Sequence, residues 1–124
     1  MHFYIGGYLN GRNIIKTKKN RFLPYDRYGK VILGLEWIPL SKDNLYEKEI
    51  FLINFKPKSH SSLHKHYGIE EFFVLEGELI DEDGQIFQKG DFVRFETGTQ
   101  HSSYTKNGCK LLVILSGGKN KLID

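Results

Sequence analysis

Cysteine and long apolar runs are scarce in this sequence, and both absences limit what the protein can be. Among 124 residues there is one cysteine, Cys109, so an internal disulfide cannot form. The longest uninterrupted apolar run, residues 111–115, is far too short to cross a bilayer. The first residues also lack the basic start and the apolar stretch of a signal peptide. We therefore expect a cytoplasmic protein that folds without disulfides and does not bind a membrane.

The charge is nearly balanced, with 18 basic and 15 acidic side chains and a net charge of +3. This value does not indicate nucleic-acid binding, and neither a stacking platform nor a nucleic-acid-binding motif is present. In the first thirty residues, however, Asp26 is the only acid among seven basic side chains. The segment could dock an anionic partner, but we favour a solvated N-terminal arm over residues 1–29, followed by one domain over residues 30–124. The basic residues are Arg12, Lys16, Lys18, Lys19, Arg21, Arg27 and Lys30.

Short β-type runs separated by turn residues follow one another from residue 30 onward. No segment shows a sustained apolar period of 3.6 residues, so long helices are not expected. Asp83-Gly84 is typical of a tight hairpin turn, because both residues tolerate positive φ. Many short strands with regular turns predict an all-β sandwich or small closed barrel. The predicted strands cover residues 30–38 (ending before Pro39), 46–55, 71–76, 78–81, 85–88, 91–96 and 110–115, with a weak candidate at 13–18.

Histidine and glutamate form the most informative cluster. His64 and His66 lie two residues apart, so in a strand their side chains project from the same face. Glu70 has the same parity and would join them if the strand continued through Gly68, although a glycine can also mark a bulge. His101 comes from a separate β segment. Three imidazoles and one carboxylate suit a transition metal, whereas Mg²⁺ and Ca²⁺ prefer oxygen ligands. We predict one divalent ion per chain, namely Fe, Zn, Mn or Ni.

The spacing of these residues resembles the first motif of the cupin family. That motif contains His-x-His, then a glutamate after three or four residues, then a glycine six residues further on. His64, His66, Glu70 and Gly77 reproduce the spacing. The glycine that opens the motif is replaced by Lys58.

The second cupin motif is matched in part. Gly90, Gly98 and His101 occupy its glycine and histidine positions. Glu96 stands where the motif has proline, and Thr105 where it has asparagine. All four positions that ligate metal in cupins are retained, and the departures fall on turn or flanking positions.

The resemblance implies a double-stranded β-helix, the jelly-roll barrel of cupins, with the metal inside. The motifs span residues 58–105, and the flanking strands extend the resemblance over about residues 30–117. Within the cupins, the sequence is similar to the ChrR-type anti-sigma-factor subfamily, which also includes stand-alone cupins and resembles acetylacetone-cleaving dioxygenases. An anti-sigma role is not expected, because the helical zinc module of those factors has no counterpart here. Small cupins commonly form homodimers by pairing sheet to sheet or by exchanging N-terminal strands. We therefore also predict a homodimer, in which residues 1–29 could exchange strands and gain a packing role.

Three functions remain open at this point. The first is an Fe(II)-dependent dioxygenase that acts on a small, chelating, oxygenated substrate. The second is a non-catalytic zinc-binding sensor or ligand-binding module. The third is a metal-assisted isomerase, which would need a dedicated general base that the sequence does not reveal. One fold hosts many chemistries, so the fold does not decide among them.

Further residues have possible roles near the site. His60, Thr105, Tyr104 and Phe72 are candidates for contacts behind the metal ligands or in the pocket. For His60 we favour a loop at the barrel mouth, and core packing would explain Phe72 and Tyr104 equally well. Cys109 opens an apolar strand and is expected to be buried and inert. The Asp81–Gly84 segment resembles a calcium loop, but its glycine comes too early, so a hairpin is predicted.

Overall fold

The fold was analysed in a computed structural model, which describes residues 11–18, 22–118 and 120–123. Parts of the predicted N-terminal arm, residues 1–10 and 19–21, lie outside the described residues. Within the described residues the chain forms ten strands and no helix long and apolar enough to span a membrane. The strands are β1 (Leu23–Pro24), β2 (Leu35–Asp43), β3 (Lys48–Phe55), β4 (His60–His66), β5 (Ile69–Asp81), β6 (Ile86–Gln88), β7 (Phe92–Phe95), β8 (Gln100–Tyr104), β9 (Cys109–Ser116) and β10 (Asn120–Leu122).

Two antiparallel sheets share the long strand β5, as expected for a jelly-roll barrel. The first sheet has the order β1-β2-β3-β9-β5-β7, and the second has the order β10-β4-β8-β5-β6. The predicted all-β fold is therefore confirmed. Because β5 belongs to both sheets, residues at its start face the barrel interior from the first sheet, and residues at its end face it from the second.

The core fills the space between the two sheets. On β3, Phe51, Ile53 and Phe55 alternate toward the interior, as their period of two predicts. On β9 the alternating residues Leu111, Val113 and Leu115 are buried beside them. Full burial of one such side chain stabilises the fold by roughly 1.5–3 kcal/mol. The apolar core therefore contains alternate residues of both β3 and β9.

A bulge and a glycine turn β5 from the first sheet into the second. The register shifts between Val74 and Glu76, and Gly77 has a φ of 75°. A Cβ atom on Gly77 would collide with the carbonyl oxygen of Gly108 on the neighbouring turn. The two predicted strands on either side of Gly77 are therefore one strand, bent at a residue that must lack a side chain.

Two strand predictions in the first half of the chain are wrong. The strand predicted to stop before Pro39 continues to Asp43, because Pro39 sits at a bulge in β2, beyond the short stretch where β1 pairs with it. At such a position the missing N–H costs no ladder hydrogen bond. The weak candidate at residues 13–18 is not a strand. Within the described part of the chain it has no partner strand, and an unpaired strand is not stable.

Residues just before position 30 pack against the barrel. Leu23 and Pro24 pair with β2, and Tyr25 is a buried member of the core. Its ring makes an edge-to-face contact with Trp37 at 5.2 Å between centroids. The boundary between an arm and a barrel at residue 29 stays a prediction, but this end of the arm contributes to the barrel interior.

Candidate metal centre

The four predicted ligands converge from three strands. His64 and His66 project inward from β4, and His101 of β8 pairs directly with His64. Glu70, however, does not continue the strand of His66. A turn at Tyr67-Gly68 separates β4 from β5, so the carboxylate reaches the site from the first sheet.

Gly68 allows this crossing between the sheets. A Cβ atom there would collide with the backbone carbonyl oxygen of Ser116 in β9. The strand does not continue through Gly68, which was the condition for Glu70 to join the histidines by parity alone, and yet the side chains meet. The glycine marks a change of sheet, and its role is to permit close backbone approach.

The Glu70 carboxylate lies at the centre of the cluster. Its Oε2 is 3.1 Å from His66 Nε2 and 3.1 Å from His101 Nε2, and its Oε1 is 3.7 Å from His64 Nε2. One ligand atom from each of the four residues lies within 4.8 Å of the others, and all four residues are buried. Ligands about 2.1 Å from one ion lie roughly 3–4 Å apart. The cluster is therefore of a size that could hold a single metal ion.

Hydrogen bonds orient the imidazoles of His64 and His66. His64 Nδ1 donates to the Ser62 carbonyl oxygen at 2.9 Å, since a carbonyl can only accept. His66 Nδ1 lies 2.8 Å from Thr99 Oγ1, whose own proton is directed to the Glu96 carbonyl. The threonine oxygen thus accepts from His66. In both residues the proton is on Nδ1, and the Nε2 lone pair is directed into the cluster.

His101 is oriented by a carboxylate. Its Nδ1 lies 2.8 Å from Asp81 Oδ1, and both side chains are buried. The Phe95 ring stacks on the imidazole at 4.0 Å between centroids and also contacts His66 at 5.2 Å. Stacking on Phe95 thus fixes the plane of the His101 ring. The hydrogen bond to the Asp81 carboxylate fixes which ring nitrogen faces the other ligands.

The cluster perturbs the acid–base properties of its members. Burial alone would raise the pKa of Glu70, but interactions with His101, His64 and His66 hold it well below its usual range. For His101 burial opposes the charge, yet the hydrogen bonds to Asp81 and Glu70 raise its pKa to about 9. Glu70 is therefore anionic near neutral pH, as a metal ligand must be.

Two buried nitrogen atoms indicate whether the cluster suits a metal ion. His64 Nε2 and His66 Nε2 are shielded from solvent, and although Glu70 oxygens lie 3.7 Å and 3.1 Å away, neither nitrogen makes a well-directed hydrogen bond within the described residues. Leaving such a group unpaired costs free energy of about 1–3 kcal/mol. Both lone pairs point into a cluster that also contains a carboxylate. The donor set and the two unpaired nitrogens fit a divalent transition metal.

A narrow cavity adjoins the cluster inside the barrel. Its volume is about 50 Å³, well below the roughly 300–1,000 Å³ of sites that enclose drug-sized ligands. His64, Glu70 and His101 form part of its wall. Apolar and aromatic side chains form most of the rest, and hydroxyl groups come from Ser61, Ser103, Tyr25 and Tyr28.

The other predicted site residues lie at different depths. Phe72 is buried, lines the cavity and contacts Phe95. His60 and Tyr104 are exposed and stack on each other at 5.5 Å. Thr105 is fully buried, but its hydroxyl donates to the Glu78 carbonyl and is not part of the cavity wall. Of these four residues, the structure brings only Phe72 to the cavity.

Two residues that orient the histidines were not among the predicted site residues. Thr99 was not singled out, and Asp81 was assigned only to a hairpin. Inward positions on β5 are even-numbered from Glu70 to Val74 but odd-numbered after the bulge, so strict alternation places Asp81 outside. The apolar residue Leu79, two positions before Asp81, could have indicated that Asp81 faces inward. Ile80, between them, is also apolar, so the sequence does not show which of the two faces is inward.

Cys109 and the acidic turn have structural roles. Cys109 is buried in the core, and desolvation raises the pKa of its thiol to about 12, as expected for an inert cysteine. The Asp81–Gly84 segment forms the hairpin between β5 and β6. Gly84 alone takes a positive φ, of 90°, whereas the Asp83 carboxylate accepts a hydrogen bond from the Gln85 amide.

Solved structures share this fold at low sequence identity. An acetylacetone dioxygenase from Acinetobacter johnsonii gives a TM-score of 0.80 at 16% identity, covering 98% of this chain and 84% of that chain. A cupin-like protein of unknown function from Ralstonia eutropha gives 0.77 at 22% identity, covering 89% and 69%. The anti-sigma factor ChrR of Rhodobacter sphaeroides, in complex with SigE, gives 0.65 at 19% identity, covering 82% and 51%. These likenesses establish the fold alone.

Comparison of the sequence with protein families identifies one that spans most of the chain. No curated protein matches the sequence. Residues 10–117, which include all four candidate ligands and strands β1 to β9, match the ChrR cupin-like domain. The chain therefore belongs to the ChrR cupin-like family, and its jelly-roll barrel is a cupin barrel.

Proposed function

We propose that this chain holds one divalent transition-metal ion at His64, His66, Glu70 and His101. We further propose that it is a non-haem oxygenase that acts on a small, chelating, oxygenated substrate. The observation that carries the proposal is the position of three ligand side chains, His64, Glu70 and His101, in the wall of an apolar cavity. A purely structural site would be closed by its protein ligands, whereas a catalytic site faces a space that a substrate can enter.

The cavity wall indicates the kind of substrate. Among the described residues no lysine or arginine lines it, so a phosphate or a multiply charged acid would find no counter-charge. A small β-dicarbonyl or hydroxyketone could direct two oxygens to the ligand cluster and its carbon skeleton to Phe51, Phe55 and Leu111. When bound, the metal would supply Lewis acidity and electron transfer. The protein would position the substrate and exclude water.

Oxygen uptake tests the oxygenase proposal. We expect the Fe(II)-loaded protein to consume O₂ with at least one member of a panel of β-diketones and hydroxyketones, measured with an oxygen electrode. Zinc-loaded protein should be inactive, because Zn²⁺ has no accessible redox change. The His101→Ala variant, exposed to the same iron, controls for free metal. Equal uptake by wild type and this variant across the panel would contradict the proposal.

A non-catalytic zinc-binding sensor or ligand-binding module is the second candidate. Membership of the ChrR cupin-like family supports it, because the anti-sigma factor ChrR, solved in complex with SigE, shares this fold. Elemental analysis of protein purified without added metal or a metal-binding tag separates the two candidates. Iron favours the oxygenase, and near-stoichiometric zinc favours the binding module.

Metal removal is expected to destabilise the protein without unfolding it. The buried core of both sheets persists without the ion, whereas an ion that binds only the native state adds stability by mass action. At free metal a thousandfold above its Kd this contribution is about 4 kcal/mol. Chelation should lower the melting temperature by roughly 10 °C or more and leave the β-type circular dichroism spectrum unchanged. Loss of that spectrum at 25 °C would show that folding requires metal.

We also propose that the protein is a homodimer. Phe73 and Phe92 form an exposed cross-strand pair on the outer face of the first sheet, which a second copy could cover. Light scattering at micromolar concentration should give twice the 14.4 kDa mass of the chain. A Phe73→Glu/Phe92→Glu variant should become monomeric if the sheets pair, whereas Tyr46→Glu, in an exposed turn, should not. A monomeric wild type would refute the dimer.

A further inference from the structure

The acceptor behind His101 differs in charge from those behind the other two imidazoles. Asp81 Oδ1 lies 2.8 Å from His101 Nδ1, whereas His64 and His66 use a neutral carbonyl and a neutral hydroxyl. Hydrogen bonds with an ionised partner are roughly twice as strong as neutral ones. A buried carboxylate behind a metal-binding imidazole also increases the basicity of that ligand. The three histidines are therefore not equivalent.

Backbone hydrogen bonds hold Asp81 in place. Its N–H donates to the Gln85 carbonyl at 2.9 Å, and its carbonyl accepts from the Gly84 N–H at 2.9 Å. In the second sheet, Asp81 pairs with Ser103, which is two residues from His101 on β8. The carboxylate is thus directed at His101 by the hairpin and by the strand register together.

Asp81 is buried, unlike the other two acidic residues of the same turn. Its exposed fraction is 7%, whereas Glu82 and Asp83 are exposed. Asp83 performs the usual task of a turn aspartate, since it accepts a hydrogen bond from the Gln85 amide. A buried carboxylate is costly unless it is paired. The side chain of Asp81 is directed inward at His101, and the turn itself does not require that placement.

We propose that Asp81 is a positioning residue of the metal centre. It holds His101 with the proton on Nδ1 and with Nε2 directed at the ligand cluster, and its charge makes His101 the strongest imidazole ligand of the three. Together with Glu70, it supplies two buried negative charges, which balance one divalent cation. The inference rests on the metal binding that we proposed above and is independent of the oxygenase chemistry.

Affinity measurements on the full chain test this role. Zinc and cobalt affinities are measured by competition with a chelator for wild type, Asp81→Asn, Asp81→Ala and Asp83→Asn. We expect Asp81→Ala to bind about 100-fold more weakly, and Asp81→Asn about 10-fold, because the amide oxygen still accepts from His101 without the charge. Asp83→Asn makes the same chemical change two residues away on the exposed turn, and its affinity should stay within twofold of wild type.

Two spectroscopic measurements distinguish positioning from a loss of structure. The visible absorption bands of the cobalt-loaded protein should shift in Asp81→Asn but not in Asp83→Asn. In zinc-loaded wild type, which needs no variant to fold, ¹⁵N NMR should show His101 protonated at Nδ1 and not at Nε2. An Nε2-protonated His101, or affinities of the Asp81 variants within twofold of wild type, would overturn the inference. A wild type without zinc or cobalt affinity would instead refute the metal centre itself.

Discussion

Replacing His64 and His101 together with alanine is expected to abolish metal binding. A zinc site with four protein ligands has an apparent binding free energy of roughly 10–16 kcal/mol, which corresponds to about 3 kcal/mol for each ligand. Each single change should thus weaken affinity by about 100-fold, and the double change by several orders of magnitude. Affinity is measured by chelator competition, and occupancy by elemental analysis after dialysis. Full occupancy in the double variant would refute the ligand assignment.

The chain offers a matched control for this experiment. His60 begins the strand that carries His64, but its side chain is exposed and stacks on Tyr104. His60→Ala should retain the metal, and a marked loss would assign His60 a role behind the ligands. Glu70→Gln should reduce affinity less than the histidine changes do, because the amide oxygen can still coordinate weakly.

Replacing Gly77 with alanine is expected to cause the largest loss of stability. The residue has a φ of 75°, which costs an alanine about 1–2 kcal/mol. The new Cβ would also collide with the carbonyl oxygen of Gly108, and a backbone atom cannot move aside as the end of a side chain can. Overpacking of this kind adds roughly 1–3 kcal/mol. Chemical denaturation should show a loss of about 3 kcal/mol or more, read from the midpoint at unchanged slope.

A Gly84→Ala variant separates the conformational cost of a positive φ from the cost of the collision. The φ of 90° at Gly84 is similar, but a Cβ there would meet no atom within 4 Å. Gly84→Ala should therefore lose only the conformational part, about 1–2 kcal/mol. Equal losses in the two variants would show that the chain around Gly77 moves aside, and that the bend in β5 is less constrained than the structure indicates.

The four side chains of the candidate metal centre could be identified from the sequence because their spacing reflects local chemistry. His64 and His66 share one face of a strand whatever the rest of the fold does, since side chains alternate along any extended chain. Three imidazoles and a carboxylate within one small domain point to a transition metal for reasons of ligand type alone. His101 lies far from the first pair in the sequence, and its match to the second cupin motif supports its place among the four.

Most strands from residue 46 onward were predicted to within a few residues, but the continuity of the strands was not predicted. Gly77 and Pro39 are residues that usually interrupt strands, yet one lies inside β5 and the other inside β2. Whether such a residue ends a strand or only bends it depends on the strands beside it. That pairing involves residues distant in the sequence, so local composition does not reveal it.

The sequence by itself determined the all-β class, the alternating core of β3 and the identity of the four candidate ligands. Only the tertiary structure decided that Glu70 approaches from the other sheet, that Asp81 faces His101 and that an apolar cavity adjoins the ligands. The physical reason is that alternation with a period of two is a property of each strand alone. A bulge reverses the alternation, and a change of sheet redirects the chain. Both depend on the packing of the whole barrel.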